Sequence, residues 1–356
     1  MAQSAASAER LNALAIAAFC QYCEVAFHQF RPRYTCNPEL KADQPSFSLR
    51  QENYHELLQE LGLTNRNAGS AQQLMIDQDV DRTFHQLHDV ILESCNTAFR
   101  SPTRNAFKKK TPLSEAAFVA WKESTQELLS AFLLLKPQIG YCQVLRTFIR
   151  ENREWVPVMD TLMLYLSAAQ GMTHLAAVLV QESKLNREIA FRLFLCMTET
   201  YRMDFLYGPE MRDVNLRFFQ LDESLRRYIP NLHTHMSDLG VHPATYASSW
   251  ILTLFTDCRV LPHCGVLLFL DLFFRTGWKA FYRVAMLIFN VAKEEIMRKQ
   301  TAADILIVVT KKLPLLIQRA CGNDIHKFVA LAASFKLRNS FLDALEMDFW
   351  TQRMTG

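Results

Sequence analysis

Residues 281–292 read FYRVAMLIFNVA, and this stretch decides the fold class of the chain. Apolar side chains recur in it at intervals of three and four, at Phe281, Ala285, Ile288, Phe289 and Ala292. An α-helix has about 3.6 residues per turn, so this spacing places them on one side of a helix. A half-buried strand needs an interval of two, which the stretch lacks. We predict a core-facing helix here.

The same pattern extends over most of the chain. Leu216, Phe219, Leu225 and Tyr228 repeat it, and only 10 glycines and 12 prolines occur among 356 residues. Asn-Gly and Asp-Gly hairpin turns are absent, which disfavours sheets. No repeat with a period of roughly 20–50 residues recurs, which disfavours a helical solenoid. The sequence therefore predicts an all-α protein.

Composition excludes several classes of protein. The 39 basic and 36 acidic residues give a net charge of +3, so nucleic-acid binding through bulk charge is not expected. The longest apolar candidate, Cys264–Phe274, contains Asp271 and is shorter than the roughly 18–20 residues of a membrane span. The N-terminus has no pattern of a secretion signal. The odd number of cysteines, 9, suits reduced thiols in the cytoplasm.

Cys20 and Cys23 have the spacing of zinc ligands, and His28 and Cys36 follow them. Both cysteines also lie in a helical apolar pattern. No second Cys-x-x-Cys or histidine pair accompanies them. We favour buried thiols over a zinc site and expect no metal.

Residues 76–84, IDQDVDRTF, contain the first candidate site. Asp79 and Arg82 are three residues apart and are neighbours on one helix face. The simplest interpretation is a solvated ion pair, worth only a few tenths of a kcal/mol. In the alternative, Asp79 holds Arg82 by a charge-assisted hydrogen bond. The guanidinium would then present a charged donor fork to phosphate oxygens, which lysine cannot reproduce.

Two later stretches extend this observation. Residues 139–143 read IGYCQ, and residues 246–255 read YASSWILTLF. In this order, the three stretches resemble the TBC domain of Rab GTPase-activating proteins. The family pattern Ile-x-x-Asp-x-x-Arg-Thr-Phe is matched through Thr83 and Phe84, and it departs at His85, where a proline is usual.

The resemblance covers roughly Tyr54 to Arg298 and implies an irregular, all-α, multi-helix domain with two helical subdomains. Residues 1–70 match the family poorly, because the tryptophan-containing motif that opens the domain is missing. Residues 71–300 are predicted to form the TBC-like domain, with an insertion at 144–170. Residues 301–356 have a helical pattern and are predicted to close the domain.

By resemblance, the chain would stimulate GTP hydrolysis by a Rab-type small GTPase in its GTP form. Arg82 would be the charge-neutralising finger, positioned by Asp79, and Gln143 the water-orienting finger, in a motif that includes Tyr141. The chain would hold no cofactor, because GTP and Mg²⁺ belong to the partner. Regulation of vesicle traffic is expected, with peripheral recruitment to endomembranes through the partner.

Val144 to Gln170 interrupts the motif of the second finger. The family context Tyr-x-Gln-Gly-Met would be continuous if Gln143 were followed directly by Gly171 and Met172. Gln170 is therefore an alternative finger, although it has no tyrosine two residues before it. The segment is either a genuine insertion with an extra helix or an intron read through in frame. A valine codon begins with GT, and a glutamine codon can end in AG, as intron ends do.

Five further residues are expected to support the site: Thr83, Gly171, Met172, Trp250 and Asp271. The indole N–H of Trp250 and the carboxylate of Asp271 lie in otherwise apolar patterns and need partners.

The interruption also motivates a second hypothesis for the function. In that alternative, the chain is a catalytically inactive TBC-like module that binds a small GTPase or another partner as a scaffold.

Overall fold

The computed structural model describes residues 71–96, 115–136, 139, 171–208, 212–322 and 324–355. For residues 71–73, 88–96 and 355, it describes the backbone but not the side chains. Every regular element in these ranges is helical. The fold class predicted from the sequence, all-α, is confirmed. The helices are α1 (Ala71–Asn96), α2 (Glu115–Leu135), α3 (171–182), α4 (Arg187–Thr200), α5 (Asp204–Tyr207), α6 (Arg212–Tyr228), α7 (Pro230–Asp238), α8 (Pro243–Tyr246), α9 (Ser248–Thr253), α10 (His263–Thr276), α11 (Trp278–Met297), α12 (Ala302–Ile307), α13 (Leu313–Cys321), α14 (Ile325–Ser334) and α15 (Asn339–Thr355).

Helix α11 is the centre of the core, as its sequence predicts. Phe281, Ala285, Ile288, Phe289 and Ala292 are all fully buried. Helices α6, α7, α10, α13 and α14 pack around this face of α11. At roughly 25 cal/mol per Å² of apolar surface removed from water, this burial is the main force that stabilises the helix.

The corner between α10 and α11 is joined to the end of α4 through Tyr201. Gly277 turns the chain with φ 58°, and a Cβ there would lie 3.0 Å from the Tyr201 ring. The Tyr201 hydroxyl donates to the carbonyl oxygen of Phe274 at 2.7 Å. The indole Nε1 of Trp278 donates to the carbonyl oxygen of Tyr201 at 2.8 Å.

The described helices form two packing groups on one continuous core. Helices α1, α2 and α4 pack in sequence, and α3 joins them through the side chain of Trp121. Helices α5 to α11 and α13 to α15 pack on α6 or on α11. Buried side chains of both groups belong to a single apolar cluster.

The chain beyond residue 300 packs back onto the second group. A π-helical turn, Val308–Lys312, joins α12 to α13. Helix α15 lies on α6, where Gln220 donates its side-chain amide to the carbonyl oxygen of Leu342 at 3.0 Å. Arg202 pairs with Glu346 at 2.8 Å. The predicted domain boundaries near 70 and 300 stay predictions.

Among the helices that the structure describes, none combines the length and apolar character needed to span a membrane. The poorly matched residues 1–70, including the Cys20 and Cys23 pair, lie outside the described ranges. The interrupting segment, 144–170, also lies outside them.

Candidate functional site

Helix α1 carries Arg82 at its surface and Asp79 in its buried face. Ile76, Val80 and Phe84 form an apolar stripe that is at most 2% exposed. Asp79 lies beside this stripe with 6% of its side chain exposed, whereas 49% of the Arg82 side chain is exposed. The two positions are neighbours on the helix, and Asp79 lies on the side that packs against the interior.

The guanidinium of Arg82 is held by two acceptors of its own helix. Its Nη2 donates to Oδ1 of Asp79. Its Nε donates to the carbonyl oxygen of Gln78 at 3.4 Å, which is a long contact. The predicted contact between Asp79 and Arg82 is present, and the carboxylate is more buried than a solvated pair requires. The arrangement orients a cation that remains open to a partner.

Thr83 points into the interior from the same helix. It is 1% exposed, and its hydroxyl has no hydrogen-bond partner among the described residues. It lies one turn from Asp79. Thr83 is therefore part of the packing face of α1 and does not reach the surface that Arg82 occupies.

Helix α1 is fixed on α2 by three contacts along their length. Phe84 packs on Trp121 with ring centroids 4.4 Å apart. Gln126 donates its side-chain amide to Asp77 at 3.0 Å, and Lys122 pairs with Asp81. Rising numbers on α2 meet falling numbers on α1, so the two helices are antiparallel. These contacts hold the turn that carries Arg82.

Gly171 and Met172 begin the described part of α3 and are both buried. A Cβ at Gly171 would lie 2.5 Å from the carbonyl oxygen of Leu252, so only glycine allows α3 and α9 to approach this closely. That same oxygen accepts a hydrogen bond from the Tyr207 hydroxyl at 2.8 Å. The structure therefore brings Gly171, a predicted support residue, against the YASSWILTLF stretch.

The chain after α9 has an unusual backbone that the sequence pattern did not indicate. Leu254 and Phe255 both have left-handed φ angles, 49° and 60°. Both side chains are fully buried. Consecutive left-handed residues without glycine are costly and persist only where surrounding packing holds them.

Trp250 and Asp271 both lie in the interior. Trp250 is 2% exposed and packs on Tyr246, Phe255 and Phe289 at centroid distances of 5.5–5.7 Å. Asp271 is 8% exposed, and its Oδ2 is 3.9 Å from Nη2 of Arg275, one turn later. These positions give both residues a place in the core of the second group.

Asp204 is a titratable group that the sequence pattern did not single out. Burial raises the pKa of its carboxyl from 3.8 to about 6, partly offset by the charge of Lys136 and by the backbone N–H of Phe205. Lys136 itself pairs with Glu199 at 3.0 Å. Asp204 lies at the start of α5, one turn before Tyr207.

The other predicted finger residues cannot be compared with this geometry. Tyr141, Gln143 and Gln170 lie outside the described residues. The described part of the candidate site therefore consists of the Asp79–Arg82 pair on α1 and the Gly171–Met172 start of α3. Trp121, which the sequence interpretation missed, contacts both helices. A lone tryptophan in an apolar helical pattern gave no signal beyond burial.

A comparison with protein families matches residues 161–297 to the Rab-GTPase-TBC domain. Residues 161–297 are a TBC domain segment. The resemblance predicted from the sequence is thereby confirmed. The TBC match contains Gly171, Met172, Trp250 and Asp271, and it begins within the 144–170 segment. Arg82 and Gln143 precede it.

Several relatives of known sequence are similar to this chain. The chain is 24% identical over 284 residues to the Ecotropic viral integration site 5 ortholog of Drosophila melanogaster, covering 79% of this chain and 28% of that protein. It is 27% identical over 184 residues to the Rab GTPase-activating protein eat-17 of Caenorhabditis elegans, covering 52% of this chain and 20% of that protein. It is 32% identical over 166 residues to mouse Carabin, covering 47% of this chain and 30% of that protein. The chain thus spans less than a third of each of these relatives.

Among solved structures, the chain is similar to the flagellar RabGAP TBC domain of Chlamydomonas. The two share 16% sequence identity with a TM-score of 0.42, over 92% of this chain and 94% of the other.

Proposed function

We propose that this chain is a GTPase-activating protein for a Rab-type small GTPase. The observation that carries the proposal is Arg82, a half-exposed guanidinium held by a buried carboxylate on a helix that is itself fixed on α2. The TBC match of residues 161–297 and the Rab GTPase-activating proteins among the relatives support the choice of partner.

The chemistry requires a cation that is charged, exposed and oriented. Negative charge develops on the phosphoryl oxygens as GTP is hydrolysed, and an arginine supplied in trans is worth about 10³–10⁵ in rate. Arg82 would enter the GTP site of the partner, and GTP and Mg²⁺ would come with that partner. The chain itself would need no cofactor.

Asp79 would act on Arg82 rather than on the nucleotide. Its carboxylate is nearly buried and contacts Nη2 of Arg82, so it restricts the rotamers of a long, flexible side chain. Restricting those rotamers before the partner binds lowers the entropy cost of placing the guanidinium. The 49% exposed arginine keeps its remaining donors available to phosphate.

A glutamine from the interrupted motif would orient the attacking water. Gln143 is preferred over Gln170 because it retains the tyrosine two residues before it. Shortening the chain by Val144–Gln170 would restore the continuous Tyr-x-Gln-Gly-Met motif. We expect the shortened chain to accelerate hydrolysis at least as well as the full chain. A shortened chain that is stably folded but slower would refute the proposed role of this motif.

In a cell, such an activity would end the GTP-bound state of the partner and thereby regulate membrane traffic. The expected location is the cytoplasm and the endomembranes that the partner occupies.

The test is single-turnover GTP hydrolysis across a panel of Rab proteins with the full chain and with Arg82→Ala. The variant should lose about 10³-fold or more of the acceleration, and Arg82→Lys should recover little of it. Arg226→Ala is the matched control, because Arg226 is another exposed arginine that pairs with an acidic residue three positions before it. An Arg82→Ala variant as active as Arg226→Ala would refute the assignment.

A second candidate is a TBC-like module that binds a GTPase without accelerating hydrolysis. The position of the family match favours it, since the match begins beyond Arg82 and Gln143. It predicts that a Rab protein is bound with no increase in rate and that the rate does not respond to Arg82→Ala.

A further inference from the structure

The side chain of Trp121 bridges the two helices that carry the described parts of the site. Its ring packs on Phe84 with centroids 4.4 Å apart, two residues beyond Arg82. Its indole Nε1 donates to the carbonyl oxygen of Ala177 on α3 at 2.7 Å. Trp121 itself is only 2% exposed. One buried side chain on α2 is therefore in contact with both α1 and α3.

The chemistry of indole makes this bridge directional. A buried indole has one donor, and leaving it without an acceptor costs about 1–3 kcal/mol, so the N–H fixes the orientation of the ring. In this orientation the ring contacts Phe84 of α1 and Phe118 of its own helix. The flanking contacts, from Gln126 to Asp77 and from Lys122 to Asp81, hold α1 on α2 but do not involve α3.

We infer that Trp121 is a positioning residue that sets the placement of Arg82 relative to α3. The inference rests on the proposed function, in which α1 supplies the arginine finger and the described part of α3 begins with Gly171 and Met172 of the second motif. An arginine that must meet a phosphoryl centre needs a fixed position on the domain, and an error of about 1 Å can cost roughly 10²-fold in rate. Trp121 is buried and would not contact the GTPase.

The first experiment measures kcat and KM for the accelerated hydrolysis with Trp121→Phe, using the Rab protein that responds to the full chain. The variant keeps an aromatic ring and loses the N–H. We expect kcat to fall roughly tenfold with KM changed less than about twofold, because the docking surface is intact while Arg82 is misplaced.

Trp278→Phe is the matched control. Trp278 is also a buried tryptophan, and it donates the same kind of indole hydrogen bond to the carbonyl oxygen of Tyr201 at 2.8 Å. A substitution there should leave kcat unchanged. If Trp121→Phe has the kcat of the wild type, or if both variants lose kcat alike, the positioning role is refuted.

A second variant separates the loss of the hydrogen bond from the loss of ring volume in Trp121→Phe. Incorporation of β-(3-benzothienyl)alanine at position 121 keeps the bicyclic shape and replaces the N–H by sulfur. It should reproduce the kcat loss of Trp121→Phe. A wild-type kcat with this isostere would show that the hydrogen bond to Ala177 does not matter.

Amide hydrogen exchange on the free chain provides a readout that needs no GTPase. Exchange over 76–87 and 173–182 should rise together in Trp121→Phe and stay at the wild-type level in Trp278→Phe. Unchanged exchange in either helix overturns the inference. The expected exchange pattern in a chain that accelerates no Rab protein would support the bridge and refute the proposed function alone.

Discussion

Replacing Gly171 by alanine should destabilise the fold through one close approach. A Cβ at this position would lie 2.5 Å from the carbonyl oxygen and 2.8 Å from the carbonyl carbon of Leu252. Both are backbone atoms, so the clash cannot be relieved by a side chain changing its rotamer. Either α3 or the backbone at Leu252 must move.

The backbone at Leu252 has little room to move. Its carbonyl oxygen is held by the Tyr207 hydroxyl at 2.8 Å. Two residues later, Leu254 and Phe255 are fully buried with left-handed φ angles of 49° and 60°. Displacing the peptide would therefore disturb a buried hydrogen bond and two packed side chains.

The magnitude follows from two opposing effects. Overpacking of a rigid interior costs about 1–3 kcal/mol or more. Replacing glycine by alanine within a helix gains about 0.5–1 kcal/mol. We expect the free energy of unfolding to fall by about 2 kcal/mol. At about 2.1 cal/mol/K of unfolding entropy per residue, a cooperative unfolding of all 356 residues converts this loss into a fall in Tm of roughly 3 °C.

Urea unfolding followed by far-ultraviolet circular dichroism measures this effect. Gly208→Ala is the matched control, because Gly208 has φ −69° and the nearest atom to an added Cβ is the carbonyl oxygen of Asp204 at 3.3 Å. It should change the free energy of unfolding by less than about 1 kcal/mol. If Gly171→Ala is as stable as Gly208→Ala, the close approach of α3 and α9 is refuted.

Two other substitutions test buried polar groups. Burial raises the pKa of Asp204 to about 6, so the folded state binds the carboxyl proton more tightly than the unfolded state. The protonated carboxyl therefore contributes stability below pH ~4, and this contribution is lost as the pH rises through 6. Urea titrations should show that the free energy of unfolding of the wild type, relative to that of Asp204→Asn, falls by about 1–3 kcal/mol between pH 4 and 7. A difference between the two proteins that does not depend on pH would contradict this. Tyr282→Phe removes a 2.7 Å hydrogen bond to Oε1 of Gln220, which keeps a second donor, Nη1 of Arg217 at 2.9 Å. It should cost about 1 kcal/mol in thermal unfolding, and a loss above about 3 kcal/mol would show that the second donor does not compensate.

The local sequence pattern was sufficient to predict which residues are buried wherever burial follows the helical period. The spacing in residues 281–292 predicts the buried face of α11, because a core helix places its apolar residues by the same period along its whole length. The neighbouring positions of Asp79 and Arg82 follow from the same geometry. Which of the two is buried depended on α1 packing against α2, a contact that local pattern does not contain.

The sequence pattern was less informative where the helix geometry changes. In the chain beyond residue 300, Ile305, Val309 and Leu313 of the apolar pattern are fully buried. Leu306 and Leu316 of the same pattern are only partly buried. The turn at Val308–Lys312 is π-helical, so it rotates the chain on either side of it relative to a regular α-helix. Val308 and Ile317 are fully buried instead.

Long-range contacts were beyond a local interpretation altogether. Trp121 and Ala177 are 56 positions apart, and their hydrogen bond depends on how α2 and α3 pack. The left-handed turn after α9 contains no glycine to mark it, so only the surrounding core determines it.

The corner at Tyr201 determines how the two packing groups can move. This residue follows the last turn of α4, and it donates through its hydroxyl to Phe274 and accepts through its carbonyl from Trp278. Bending at this joint would break two buried hydrogen bonds at once and open space beside Gly277, where the ring already lies close. The two hydrogen bonds of Tyr201 therefore oppose a hinge motion between α4 and the corner of α10 and α11. A displacement of the end of α4 would strain the contacts of Tyr201 with α10 and α11.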